Sequence, residues 1–208
     1  MSDVIVHTQT LSPYGWTARI CAAEKGVPHT VRDVDTTSPE HRRLHPFGKI
    51  PVLQHGEAII YETLAIAHYI DRAFEGPALQ PVDYRGQTDM LRWISIVNGY
   101  AYPVMNGLIK ARFSVLATGA PADPAVLADF QARLAEQLAL IEQSLAAHAF
   151  LVGDRFTLAD AFLFPQLHYA SQTPEGAEVL AAAPAARAWL EAMRARASVA
   201  TTGPFAQA

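Results

Sequence analysis

The chain opens with a short unbroken apolar run, Val4, Ile5 and Val6. Such a run suits a strand covered on both faces inside a mixed or parallel sheet. The period then changes: Trp16, Ile20, Ala23 and Val27 recur at i, i+4, i+7 and i+11, predicting a helix that lays one apolar stripe on that sheet. Ser12 can cap this helix, Pro13 fits a first position that needs no N–H, and Gly26 suits the residue just past its end. HTVRDV at 29–34 reads as a second strand, and IPVLQH at 50–55 with AIIY at 58–61 reads as a hairpin turning around Gly56. Ile66, Ile70 and Phe74, spaced by four, predict a helix that begins at Thr63. The order of elements is βαβ followed by ββα.

The pattern shifts at GPALQPVD, where two prolines and a glycine mark a linker. Boundaries follow at 1–76 for a first domain, 77–83 for the linker and 84–208 for a second domain. Beyond the linker only helical patterns occur: 84–117 with an interruption at Pro103, 124–148, 157–170, and 184–197 beginning at Pro184. Thr157 and Asp160 have capping-box spacing, with Asp in place of the usual Glu. No repeat or low-complexity tract stands out beyond alanine richness.

Composition narrows the function classes. With 208 residues, half of them hydrophobic and 17% charged, the chain can build packed cores in two small domains. The formal net charge is -4 and no basic cluster is longer than Arg42-Arg43, so the electrostatic footprint of a nucleic-acid binder is missing. The lone Cys21 cannot form an internal disulfide, which fits a reducing compartment, and it reads as a small core residue of the first helix. The start MSDVIVHTQT has no basic stretch leading into a long apolar one, and no run of about 20 apolar residues exists. No membrane partner and a cytoplasmic location are the expectations. His41 and His45 are four apart but lack a third ligand, so no metal is expected and both read as solvated helix-surface histidines.

Pro51 is the first residue that points to chemistry. Lacking an N–H, proline belongs at an edge or at the first residue of a strand. Two arrangements are open, an ordinary trans proline starting an edge strand or a cis bond. In the second, the N–H and C=O of Ile50 are free to pair with an extended peptide, as in strand addition.

Four blocks together resemble the cytosolic glutathione transferases: SPYGWTARICAAEKGVP, HPFGKIPVL, YETLAIAHYID and FLVGDRFTLADAFLFPQLHY. They stand in that family's order and spacing over nearly the whole chain, and they look like a serine-type, bacterial-like member. The resemblance implies a thioredoxin-like α/β N-terminal domain with a mixed four-stranded sheet, an all-α helical-bundle C-terminal domain, and a cytoplasmic homodimer with a detoxifying role. It implies glutathione as co-substrate and a small hydrophobic electrophile as its partner. By the same resemblance Pro51 is cis, Ile50 pairs by backbone with the cysteinyl part, and Glu62 and Thr63 hold the γ-glutamyl end. Helix N–H groups at Thr63 suit the carboxylate there, and Glu62 can pair with the ammonium; a plain N-cap is the alternative for this pair. Lys49 either reaches the glycyl carboxylate or is a solvated surface lysine.

In serine-type members the serine fourteen positions before the helix-ending glycine donates to the glutathione sulfur, and Ser12 stands so to Gly26. Its hydroxyl can also cap the helix, since the oxygen accepts while the proton is donated. Tyr14 is the rival donor and a contact for the electrophile. The chain departs from cysteine-type members at Ser12, which argues against a mixed-disulfide mechanism. Tyr100, Tyr102 and Met105 flank Pro103 where the family walls its electrophile pocket, with core packing as the alternative. The implied reaction is conjugation; a non-catalytic glutathione or ligand-binding module, and a glutathione-dependent isomerase or peroxidase, are the alternatives.

Overall fold

Strand β1 (Val4–Thr8) lies in the middle of a four-stranded sheet of order β2-β1-β3-β4. It runs parallel to β2 (Thr30–Asp33) and antiparallel to β3 (Val52–His55), which in turn is antiparallel to β4 (Ala58–Tyr61). The computed structural model describes residues 3–119 and 121–204, apart from the side chains of 114–118. Val4, Val6, Val52 and Leu53 are buried, as the apolar runs required. The helices α1 (Pro13–Glu24) and α3 (Thr63–Ala73) pack on each other and on the sheet. This is the mixed-sheet, thioredoxin-like unit expected.

Details of this unit differ from the sequence pattern. Every residue of α1 from Gly15 to Ala22 is buried, while Ala23 is only half-buried. The single stripe is therefore replaced by burial all round: α3 and β1 pack against α1, and so does α10 (Ala197–Ala200) from much later in the chain. The Trp16 indole N–H donates to Thr202 Oγ1 at 3.1 Å, and Arg196 and Ser198 both bind the Glu24 carboxylate. Residues from Ala195 onward thus belong with residues up to Gln80 in the first unit, and Pro81–Arg194 form the second. The segment that follows α3 is held to this unit as well. Asp71 accepts from the Leu79 N–H and the Gln80 amide at 2.8 Å each and pairs with Lys25 Nζ at 3.4 Å, tying 76–80 down.

A short helix, α2 (Pro39–Leu44), goes beyond the strands and helices expected in this unit. Its signal was present: Ser38 caps it by accepting from the His41 N–H at 3.1 Å, and Pro39 occupies the first position.

The second unit is helical throughout, with α4 (Tyr84–Ile96), α5 (Tyr102–Thr118), α6 (Pro124–Ala147), α7 (Leu158–Ala170), α8 (Pro174–Ala181) and α9 (Pro184–Arg194). Here α8 is additional, and it again starts at a hydroxyl cap followed by proline, Thr173-Pro174. Pro103 does not break the chain into two helices. A π turn over Val97–Ala101 joins α4 to α5, and the Tyr102 N–H reaches back to the Val97 C=O. A proline cannot supply the N–H owed to the carbonyl four residues before it, and a wider turn absorbs that loss. The central helix is α7, buried along almost its whole length, as a helix apolar on all sides must be. Its capping box is present, with Thr157 and Asp160 bonded reciprocally.

Candidate functional site: one end of the sheet

The strand register gathers the candidate residues. His7 pairs with Val52, and Val52 pairs with Tyr61. One step beyond this row lie Thr8 on the way to Ser12, Pro51 on the way back to Ile50, and Glu62 leading into Thr63. Antiparallel pairing of β3 with both neighbours sends all three connections to the same end of the sheet.

At the first connection Ser12 is the N-cap of α1, and its Oγ accepts from the Gly15 N–H at 3.1 Å. Its hydroxyl proton has no acceptor among the described residues, so the capping oxygen and a donated proton coexist. Gly15 fixes the helix end: a Cβ there would lie 2.0 Å from Thr8 Oγ1, so only glycine lets α1 start this close to β1.

The second connection is held by histidines. His41 Nε2 donates to the Lys49 C=O at 2.8 Å, and His45 Nδ1 accepts from the Phe47 N–H at 3.2 Å. Both residues are only 2% exposed. The reading of solvated surface histidines is therefore corrected: α2 turns them inward, where they hold the loop before β3. Gly48, at φ +60, completes the turn beneath the Thr36 carbonyl, 2.8 Å from where a Cβ would stand. The Ile50–Pro51 bond is cis, the arrangement implied by the resemblance. Ile50 lies outside the strands, and its N–H and C=O have no hydrogen-bond partner among the described residues. The Lys49 side chain is exposed and joins no ion pair among them.

At the third connection Glu62 is the N-cap of α3 but gives no side-chain cap, and the first-turn N–H groups of Thr63, Leu64 and Ala65 have no partner among the described residues. Its φ of +68 is left-handed, a conformation that costs a non-glycine residue about 1–3 kcal/mol and concentrates at ligand sites. The carboxylate is exposed, with His45 Nε2 3.7 Å away. An anion-accepting helix end and an exposed anion thus stand side by side, which suits a zwitterion.

The remaining candidates lie elsewhere. Tyr14 is half-buried on the first turn of α1, close in sequence to Ser12. In the second unit Tyr102 is half-buried and its hydroxyl is pushed up by burial, and Tyr100 is exposed. Met105 is 0% exposed, so it packs in the core and cannot wall a pocket. Cys21 is fully buried, its thiol pushed up by burial and by the charges of Glu24 and Asp71. Among the described residues no group of three or more His, Cys, Asp and Glu could hold a metal, and no helix is long and apolar enough to cross a membrane. Sequence reasoning missed the two histidine props; only the Ser-Pro start of α2, which orients them, signalled the role.

Compared with known proteins, residues 11–73 match the glutathione S-transferase N-terminal domain and residues 124–192 match the glutathione S-transferase C-terminal domain. The chain is 32% identical over 206 residues to glutathione S-transferase 3 of Zea mays, covering 94% of this chain and 91% of that one. A solved apo structure of glutathione S-transferase III superposes with a TM-score of 0.87 at 32% identity, over 97% and 95% of the two chains. A theta class enzyme from Xanthomonas axonopodis pv. citri, solved with glutathione bound, superposes at 0.85 with 26% identity over 97% of each. The chain belongs to the glutathione S-transferase family. Its reaction is transfer of glutathione to an electrophile.

Proposed function

We propose that the end of the sheet formed by Ser12, Lys49, Ile50, Pro51, Glu62 and Thr63 holds glutathione and activates its sulfur for attack on a small hydrophobic electrophile. When bound, the tripeptide supplies the nucleophilic sulfur. Ile50 offers its N–H and C=O to the cysteinyl residue, the opening turn of α3 takes the γ-glutamyl carboxylate, Glu62 takes the ammonium, and Lys49 meets the glycyl carboxylate. Ser12 donates its hydroxyl proton to the sulfur and so favours the thiolate; the thiol proton leaves to solvent. The observation that carries this reading is the shared row His7–Val52–Tyr61, at whose end lie a hydroxyl proton, a peptide unit and a helix end that have no partner among the described residues.

Each part is strong enough for its task. An ordinary thiol titrates at about 8.5, and lowering that by two units takes roughly 2.7 kcal/mol. A hydrogen bond to a charged group contributes about 1.5–3 kcal/mol, and a helix end adds about 0.3–1 kcal/mol where it acts. Tyr14, two residues after Ser12, contributes an aromatic contact for the electrophile. The theta class relative, solved with glutathione bound, supports the choice of ligand. A cytoplasmic homodimer with a detoxifying role completes the proposal. The test is turnover with glutathione across halonitroarenes, peroxides and cis-enone acids. Conjugation of a halonitroarene is expected; saturable glutathione binding with no turnover on any of them would leave a binding module instead.

A further inference from the structure

His45 touches both the turn that presents Ile50 and the carboxylate of Glu62. Its backbone N–H donates to the His41 C=O and its C=O accepts from the Gly48 N–H, each at 2.9 Å. Its ring is buried and lies against Tyr61, with centroids 4.9 Å apart. Because Nδ1 accepts the Phe47 N–H, the neutral ring must carry its proton on Nε2, and that atom faces Glu62 Oε1 at 3.7 Å. This is too long for a hydrogen bond, so the carboxylate stays available to another cation.

We propose that His45 is a positioning residue for glutathione capture: its neutral ring accepts the Phe47 N–H in the 45–48 turn and leaves Glu62 to the ligand's ammonium, and its protonated ring does neither, so affinity falls in acid. The inference rests on the reading of Ile50 and Glu62 given above. Protonation puts a second donor on Nδ1, opposite the Phe47 N–H, and that bond is lost. It also makes Nε2 part of a cation that competes for the Glu62 carboxylate. The charged or titratable groups facing the ring are Glu62 at the start of α3, His41 on α2, Lys49 in the loop and Tyr61 on β4. Burial first, then His41 and Lys49, holds the ring below its ordinary value, and only Glu62 opposes them. The ring is therefore neutral near pH 7. Occupation of Glu62 by an ammonium removes the opposing influence, so ligand binding and protonation of His45 exclude one another, and each must weaken the other equally.

The test uses S-methylglutathione, whose capped sulfur cannot titrate, and calorimetry on the full chain. Between about pH 7.5 and about pH 5.5 the wild-type dissociation constant should rise, by at most about tenfold for a ring held below its ordinary value. In His45→Asn, whose side-chain oxygen still accepts the Phe47 N–H but does not titrate, it should change by less than about twofold. Equal pH dependence in both proteins overturns the inference, whereas no binding to the wild type at any pH overturns the site itself. Should the variant fail to fold, imidazole nitrogen resonances of the wild-type chain decide: saturation with S-methylglutathione must lower the titration midpoint of the imidazole assigned to His45 through its own backbone, not that of His41, whose neutral ring also carries its proton on Nε2. If that midpoint does not move, His45 does not act in this way.

Discussion

Replacing Ser12 by alanine removes the helix cap of α1 and, in the proposed site, the donor to the sulfur, and the two losses have separable consequences. The first is the cap, the Gly15 N–H to Ser12 Oγ bond at 3.1 Å, whose loss costs about 1 kcal/mol of stability. The helix end should still stay in place, because the contact between Gly15 and Thr8 does not involve the hydroxyl. The second is the bond that the proposed site has the hydroxyl donate to the glutathione sulfur. Losing about 1.5–3 kcal/mol of charge-assisted bonding raises the bound thiol by roughly one to two pK units. At neutral pH the rate of halonitroarene conjugation should fall by about tenfold or more, within a ceiling of about 30-fold on the thiolate gained. The pH-rate profile is the assay that discriminates: the variant's midpoint should move up, and the two rates should converge once both thiols are ionised. An unchanged profile, or a rate ratio that stays constant with pH, would refute the role given to Ser12.

Further outcomes follow from the contrast between buried and exposed charges. Asp71→Asn should cost about 3 kcal/mol or more in denaturant unfolding, because it strands Lys25, whose side chain is 4% exposed; removing Asp129 from its exposed pair with Arg133 should cost nothing measurable. Asp160→Asn should destabilise by a similar amount, since the carboxylate accepts from the Leu151 N–H, the Thr157 N–H and hydroxyl, and the Trp189 indole. Burial pushes that carboxyl from 3.8 up to about 6, against the pull of those four bonds. Between those values the folded chain holds a proton that the unfolded chain has released, so this group's contribution falls as pH rises through the window. Unfolding of the asparagine variant should lack that slope.

How far the sequence carried differs from part to part. Short apolar and β-branched runs located the four strands, β2 included although all four of its residues are exposed, and the 3.6 period located the helices α1 and α3. Short helices escaped: α2 has six residues and α8 eight, too few for a period to register, although Ser38-Pro39 and Thr173-Pro174 marked both starts. The packing of α10 on α1 was illegible because Trp16 with Thr202, and Glu24 with Arg196, meet across most of the chain. Much the same holds for Lys25 with Asp71. In the site, Ser12, Ile50 and Glu62 were legible through resemblance, but their convergence depends on strand register. His41 and His45 looked like surface residues because nothing local says that α2 faces inward. Met105 could be read as wall or core, and burial decides for core.

Whether a tripeptide pairs with Ile50 can be measured on the amide itself by hydrogen exchange, with and without glutathione. The unpaired Ile50 N–H should exchange freely in the ligand-free protein and become protected in step with saturation, while amides inside β3 change little. Saturable glutathione binding with the Ile50 amide still unprotected would contradict the proposed placement, and an absence of saturation would contradict binding altogether.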